Sequence, residues 1–557
     1  MGGGDTGGGV VLKDGETMKN TTSNMFVNAA AATDKEHSMT LWQGVKLYPK
    51  AIMWSMLISS LCAMEGYDVS LIGNFYAFPP FNRKYGHYTG PEHGYQVSAK
   101  WQTSLANGAQ CGQILGLIVN GFFTERYGYR PVIIAMLLFL AAVTTIFFVA
   151  PSVQVLLVGE ILAGIPWGVF QSIAISYASE VCPVALRGYL TTYGNICWGW
   201  GQLIGVGVIM GESPMFKRED QWAYRIPYGL MWMWYPPLLI GVYFAPESPW
   251  WLVRHGKLEE AKKSLARLTS SKADSTFDLD ETIDMMRHTT ELEKDITSGS
   301  SYLDCFKGTD LRRTEIVCML WATQNFSGNT FSNYSTYFFE QAGLKGTIGY
   351  KFAMGQYSIN VVGTMVGWVI MSLGVGRRRL FITGLCGLCV TLLVLGFMGL
   401  IPDRQAYDRS MATGSLMLVW ATWYQISVGS IAFSLVAEMS TRRLQIKTVS
   451  LGRAAYNVAA IICNTLTPRM INPEAWNWKQ FAGFFWAGSC ALCALYHYFR
   501  LPEPTGRTFA ELDILFERHV PARKFKTTQV NAFDVAINHQ VAEDKPELQH
   551  IDHVEKV

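Results

Sequence analysis

Glu65 and Asp68 stand three residues apart in LISSLCAMEGYDVSLIGNFYAF, Leu57 to Phe78, a run otherwise apolar enough to lie in lipid. That spacing puts both carboxylates on one side of a helix. A third acid, Glu160, sits in VLLVGEILAG, and Arg453, in SLGRAAYN, is the one base deep inside an apolar stretch. A central Asp or Lys costs about 2.5 to 3.5 kcal/mol on insertion scales, so such groups persist where a cavity, a partner or protonation offsets the cost. Three acids against one base leave surplus carboxylate, and neighbouring carboxylates do not both ionise easily. The chemistry on offer is reversible proton uptake, with Asp68 first, Glu65 and Glu160 beside it and Arg453 as counter-ion. The plainer alternative is that these groups pin helices together.

A second set is neutral. Gln324, Asn325, Asn329 and Asn333 crowd one apolar stretch, and Asn195, Trp198, Trp200 and Gln202 another. Amides that donate and accept, beside flat aromatic surfaces, suit a ligand rich in hydroxyls with a weakly apolar ring face, such as a saccharide. Either tryptophan taken alone reads as interfacial or core packing. The glycosylation patterns at Asn325 and Asn333 lie in a span, and the one at Asn20 in a cytosolic tail, so none is expected to be used. Two CxxC pairs, Cys386/Cys389 and Cys490/Cys493, lie in apolar runs without partnering His or Cys clusters and read as packing residues.

The elements that must position these groups follow from composition. Half of the 557 residues are apolar and only 16% are charged, against about a quarter in a soluble protein. A formal net charge of +3 argues against nucleic acid. No phosphate-binding glycine loop, metal cluster or nucleophile constellation is present, which disfavours an ATP-driven pump and an enzyme. No cofactor is expected. A ruler of about 20 apolar residues per bilayer crossing finds twelve spans, starting near residues 51, 101, 131, 153, 188, 227, 314, 352, 379, 411, 448 and 480. Lys and Arg concentrate in the loops after spans two, four, eight and ten, and eleven lie between Glu247 and Arg313. The positive-inside rule therefore makes both termini and the middle segment cytoplasmic. The first 50 residues are polar and Gly-rich, with no cleavable signal evident. Met1-Gly2 with Thr6 fits a loose myristoylation pattern, but the tail reads as flexible.

The chain also repeats itself. Tyr127-Gly128-Tyr129-Arg130 is echoed by Val375-Gly376-Arg377-Arg378, YASEVCPVALRG by VAEMSTRRLQIKT, and PESPWWL by PEPTGRT, at offsets of 248, 258 and 256 residues. The expected fold is an all-α membrane protein of twelve transmembrane helices in two six-helix pseudo-repeats. Its parts are a disordered cytoplasmic tail (1–47), a first bundle (48–246), a linker with short helices (247–313), a second bundle (314–500) and a C-terminal tail (501–557). The linker's LEEAKKSLARL reads as a short amphipathic helix. Such duplication suits alternating access, in which two bundles rock about a site between them.

These motifs resemble the sugar porter branch of the major facilitator superfamily from about Tyr48 to Phe525. The carrying residues are Arg126, Gly128, Arg130, Glu180, Arg187, PESPWWL, YSTYFFEQAG and PEPTGRTFAELDILFE. Within that branch MEGYD, GEILAGIPWGVFQ and GRAAYN look most like the fungal α-glucoside (maltose-type) proton symporters. The resemblance implies cargo contacts at Asn195, Gln202, Gln324, Asn329 and Asn333, with Phe433 stacking where many sugar porters have tryptophan. It also implies a cytoplasmic ion-pair lattice of Arg126, Arg130, Glu180, Arg187, Glu247, Arg378, Glu438 and Arg443, holding the outward-facing state. Two departures stand out: Gln445 where an arginine is usual, and Gln113 where several maltose permeases have an acid, which weakens coupling if that acid matters. The expected partners are sugar, protons and the lipid bilayer, with no nucleic acid and no obligate protein partner, in the plasma membrane. The rivals are a hexose or other sugar carrier, an exporter of a small secondary metabolite, and a non-transporting sugar sensor, which would want a longer signalling tail.

Overall fold

The computed structural model describes residues 39–91, 94–212, 220–270, 278–297, 301–342, 347–373, 375–402, 406–441, 444–505, 507 and 509–528. Among these residues, and apart from the helices between the two halves, twelve long helical stretches follow one another. In the first half they are α1 (Pro49–Phe75, broken at Ser60), α2 (Ala99–Tyr127), α3 (Tyr129–Val149), α4 (Val153–Val181), α5 (Val184–Glu212) and α6 (Trp222–Gly229, Leu230–Trp234 and Tyr235–Phe244). In the second they are α7 (Gly308–Gln324, Asn325–Asn329, Thr330–Asn333 and Ser335–Gln341), α8 (Thr347–Ser372), α9 (Arg377–Met398), α10 (Ala406–Tyr424, Gln425–Gly429 and Ser430–Met439), α11 (Gln445–Ile471) and α12 (Ala482–Arg500). Each begins within a turn or two of the start read from the apolar runs.

On length and composition alone, α3, α4, α9 and α10 among the described helices are apolar enough to cross a membrane unaided, and α1 joins them when counted with the bent helix Leu41–Leu47 before it. The others are diluted by Gly, Asn, Gln and Thr, and those residues largely point inward: Gln102, Gln113, Gln202, Gln324, Asn325, Gln356 and Asn457 are all buried. Burial between helices is what lets polar side chains lie at membrane depth.

Packing repeats with the sequence. In the first half α1 lies on α5 and α2 on α4; in the second α7 lies on α11 and α8 on α10, the same pairings six helices later. The halves meet along α2–α11 and α5–α8. The α1–α5 crossing is backbone against backbone. A Cβ on Gly66 would stand 2.1 Å from the Trp198 carbonyl oxygen, and one on Gly201 2.0 Å from that of Ala63. Small residues permit this approach, and van der Waals packing then holds helices that lipid would not drive together.

The proline-glutamate repeats explain themselves at the helix starts. The Glu247 carboxylate accepts the backbone N–H of Tyr129 at 3.0 Å and of Arg130 at 3.2 Å, closing the N-terminus of α3. Glu503 stands at the same place on α9, accepting from Arg378 N at 3.4 Å. An anion at a helix N-terminus satisfies free N–H groups and the helix dipole together. Burial raises the Glu247 carboxyl above its ordinary range, and its backbone donors pull it part of the way back.

Between the halves run helices Pro249–Arg254, Leu258–Leu268 and Leu279–Thr297. In LEEAKKSLARL, Ala261, Ser264, Leu265 and Leu268 are buried, the spacing of one helix face. A strap from Ser270 N to Leu47 O, 2.8 Å, ties this layer to the helix Leu41–Leu47 that precedes α1. The side holding this layer is called the terminal face below, and its opposite the far face. On the far face β1 (His87–Tyr88) and β2 (Tyr95–Gln96) form an antiparallel hairpin, His87 opposite Gln96.

Candidate functional site

Three of the helices that line the centre have broken geometry. α7 passes through a π-helical turn at Asn325–Asn329 whose Gly328 has φ 96° and ψ 15°, a left-handed conformation that glycine tolerates. α10 has a matching π turn at Gln425–Gly429, and α4 carries Pro166. Such bulges turn side chains out of the helical register and are frequent at functional sites. The Gln324 amide donates to the carbonyls of Val428 at 3.3 Å and Gly429 at 3.2 Å, locking the two π turns together.

Around them is an open cavity whose empty space, adjoining solvent included, is about 1100 Å³. Its wall includes Glu65, Gln110, Gln113, Gln171, Asn195, Trp198, Gln324, Asn329, Asn333, Asn360, Gln425, Phe433, Arg453 and Tyr456. It reaches from mid-span toward the terminal face, where Thr191 is two turns into α5. The far side is sealed. Thr336 donates to Asn74, Tyr76 stacks on Tyr334 with ring centres 5.7 Å apart, and Asn107 Nδ2 donates to Thr465 Oγ1 at 3.0 Å. Beyond them His87 Nε2 meets Glu474 Oε1 at 2.7 Å. Each of these joins one half to the other.

Five of the six expected cargo residues, Asn195, Gln324, Asn329, Asn333 and Phe433, lie on the wall, and Gln202 does not. Gln202 is buried between helices, its Oε1 accepting from Asn360 Nδ2 at 3.3 Å, so it touches the wall through Asn360. Phe433 meets Trp321 edge-on at 4.7 Å.

The charged groups depart further from expectation. Glu65 is on the wall; Asp68 is not, because three residues turn a helix to a point about 60° short of a full circle, enough to aim it away from the cavity. Among the described residues neither Asp68 oxygen has a hydrogen-bond partner, nor has Glu160 Oε1. Both residues are buried and interact electrostatically with each other. Nothing there offsets the cost of carrying charge. Glu65 has donors in plenty: Gln113 Nε2 at 2.9 Å on Oε1, and Gln171 Nε2 at 2.6 Å on Oε1 and 2.8 Å on Oε2. Among the described residues Arg453 makes no direct pair with an acid. It donates to Gln171 Oε1, and its guanidinium lies 4.8 Å from the Trp321 ring centre and 4.7 Å from that of Tyr456. Gln171 and the wall amides Gln110, Asn360 and Gln425 were not among the residues expected from sequence, which took only the amides crowded into two apolar stretches. The signal for Gln171 was a lone amide in an apolar run, GVFQSIA.

The lattice residues pair differently too. Glu180 bonds Arg254 at 2.8 Å and Ser248, both in the linker layer, and Glu438 pairs with Arg377 rather than Arg378. Arg378 instead donates to the backbone oxygens of Leu501, at 2.6 Å, and Tyr498, at 2.7 Å, fastening α9 to α12. Burial alone would lower the Arg254 guanidinium, but Glu180 more than offsets it and leaves it raised. Arg126 lies over Tyr127 and Arg130 over Tyr243, and Nε of Arg187 has no hydrogen-bond partner among the described residues. Arg443 lies outside the described residues. Glu180 pairs with the linker layer and Glu438 within the second half, so neither pair bridges the two halves, as fits a molecule sealed at its far face.

A family model described as "Sugar (and other) transporter" matches residues 54–516. The general alpha-glucoside permease of Saccharomyces cerevisiae is 41% identical over 512 residues, 92% of this chain and 82% of the permease. Maltose permease MAL61 of Saccharomyces cerevisiae is 38% identical over 511 residues, 91% of this chain and 82% of its own. Among solved structures, the major facilitator proton:xylose symporter XylE bound to 6-bromo-6-deoxy-D-glucose superposes with TM-score 0.66 at 21% identity, covering 84% of this chain and all of its own. The inward-open form of XylE from E. coli gives 0.64 at 20%, covering 83% of this chain and 99% of its own. With a twelve-helix fold shared with major facilitator structures and a family model spanning most of its length, the chain belongs to the sugar (and other) transporter family: it is a multi-pass membrane transporter, not an enzyme.

Proposed function

We propose that this protein couples uptake of an α-glucoside such as maltose to proton entry across the plasma membrane, with both termini in the cytoplasm. The observation that carries the reading is Glu65, a carboxylate on the wall of an amide-lined cavity, joined through Gln171 to Arg453 of the other half. The names of the yeast relatives support the α-glucoside, and Lys and Arg in the terminal-face loops support the orientation.

In this reading the terminal face is cytoplasmic and the molecule faces inward. Asn195, Gln324, Asn329 and Asn333 take sugar hydroxyls, and Phe433 offers an apolar surface. Glu65 exchanges its proton with the cavity, while Asp68 and Glu160 form a buried pair behind it. Glu180–Arg254 and Glu438–Arg377 are half-lattices that re-pair between the halves when the protein turns outward.

The test is uptake of radiolabelled maltose by a host strain lacking its own maltose carriers, with and without a protonophore. Concentrative uptake abolished by the protonophore is expected. Uptake that only equilibrates would leave a uniporter, and failure to take up any saccharide would favour the exporter.

A further inference from the structure

The Arg453–Gln171–Glu65 chain runs from α11 of one half to α4 and α1 of the other. The amide in its middle is polarised at both ends: its NH₂ donates to both Glu65 oxygens while its carbonyl accepts from the guanidinium. Turning the amide over would set donors against Arg453 and an acceptor against Glu65, so the ionised carboxylate fixes its direction. Among the described residues Glu65 and Arg453 make no direct ion pair, though they interact electrostatically, and Gln113 reaches Glu65 but contributes no charge.

We propose that Gln171 is the positioning residue that lets the empty carrier return. Resting on the proton-symport reading above, it joins ionised Glu65 to Arg453 so that the unloaded, deprotonated protein reorients with its charge compensated. When Glu65 takes a proton the amide loses the charge that fixed it, the link between the halves slackens, and the sugar-loaded protein reorients without needing it. The titratable and charged groups facing Glu65 are Cys62 and Asp68 on α1, and Arg453 and Tyr456 on α11; Cys197 on α5 stands behind Cys62. Arg453 is the one cation among them.

The experiment compares wild type, Gln171→Leu, Glu65→Gln and the double variant, measuring downhill net maltose uptake and exchange of external label against a preloaded pool. Exchange never requires the empty carrier to move. Gln171→Leu should lower net uptake by about ten- to a hundredfold, the worth of one charge-assisted hydrogen bond, with exchange close to wild type. In the double variant the uncharged amide at position 65 needs no compensation, since the cavity then carries the same charge as in the proton-loaded protein. Downhill uptake should therefore recover to the level of Glu65→Gln alone. Equal loss of exchange and uptake in Gln171→Leu, without recovery in the double variant, would overturn the proposal by giving Gln171 a merely structural role. Unchanged uptake in Gln171→Leu would overturn it too, as would a Glu65→Gln protein inert in both assays. A wild-type protein indifferent to protonophore would instead remove the symport reading beneath it.

Discussion

Replacing Glu65 by glutamine probes the proposed coupling with little change in shape. The carboxylate receives three N–H contacts from two side chains. Its amide substitute keeps one oxygen, which can hold the Gln113 and Gln171 contacts at 2.9 and 2.6 Å, and sets an NH₂ against the Gln171 donor that now stands 2.8 Å from Oε2. One bond is lost, with a local cost of about 1 to 3 kcal/mol, which a protein this size survives. Transport changes far more. One proton per sugar driven by a membrane potential is worth about 2.3 kcal/mol per 100 mV, or a concentration ratio of about fifty. The wild-type ratio of internal to external maltose should approach that value. In Glu65→Gln it should fall to one, with downhill entry intact and alkalinisation of the medium gone. Accumulation persisting in this variant would refute the assignment of the proton to Glu65 and return it to Asp68 or Glu160.

Three further outcomes follow from the geometry. Asn329→Ala removes a donor and an acceptor from the cavity wall and should raise the KM for maltose about tenfold or more, with surface expression intact; unchanged kinetics would take Asn329 out of the site. Gly201→Ala places a Cβ 2.0 Å from the Ala63 carbonyl oxygen, so α1 and α5 must separate, and thermal stability of the purified protein should drop clearly; no change in Tm would mean that the crossing is looser than described. Glu247→Ala strips the N-terminus of α3 of its acceptor and should cost about 0.5 to 2 kcal/mol, as loss of a helix cap does, read as a lower Tm that Glu247→Asp partly restores.

Much of the architecture was legible because a bilayer imposes a ruler. Helix starts followed from apolar runs even where α5, α8 and α11 are diluted by Gly, Asn and Thr, and the proline-glutamate echoes proved to be carboxylates capping α3 and α9. What sequence could not provide was rotation. Glu65 and Asp68 are indistinguishable by spacing, yet one faces the cavity and the other the helix packing, a matter of how α1 lies on α5 through Gly66. Gln202 was placed at the site and sits one residue behind it, for the same reason. Partners were equally hidden: Glu180 finds Arg254, across a chain separation no local pattern reveals. Gln171 went unseen because a single neutral amide carries little signal until Arg453 and Glu65 are found on either side of it.

Joint movement of sugar and proton is read in proteoliposomes containing only this protein and a trapped pH dye. An inward maltose gradient, with potassium and valinomycin clamping the potential at zero, should drive protons in and acidify the lumen, and Glu65→Gln should abolish that signal while maltose still equilibrates. Maltose entry by the wild-type protein with no change in lumenal pH would show that sugar crosses without a proton and that Glu65 is not a coupling site.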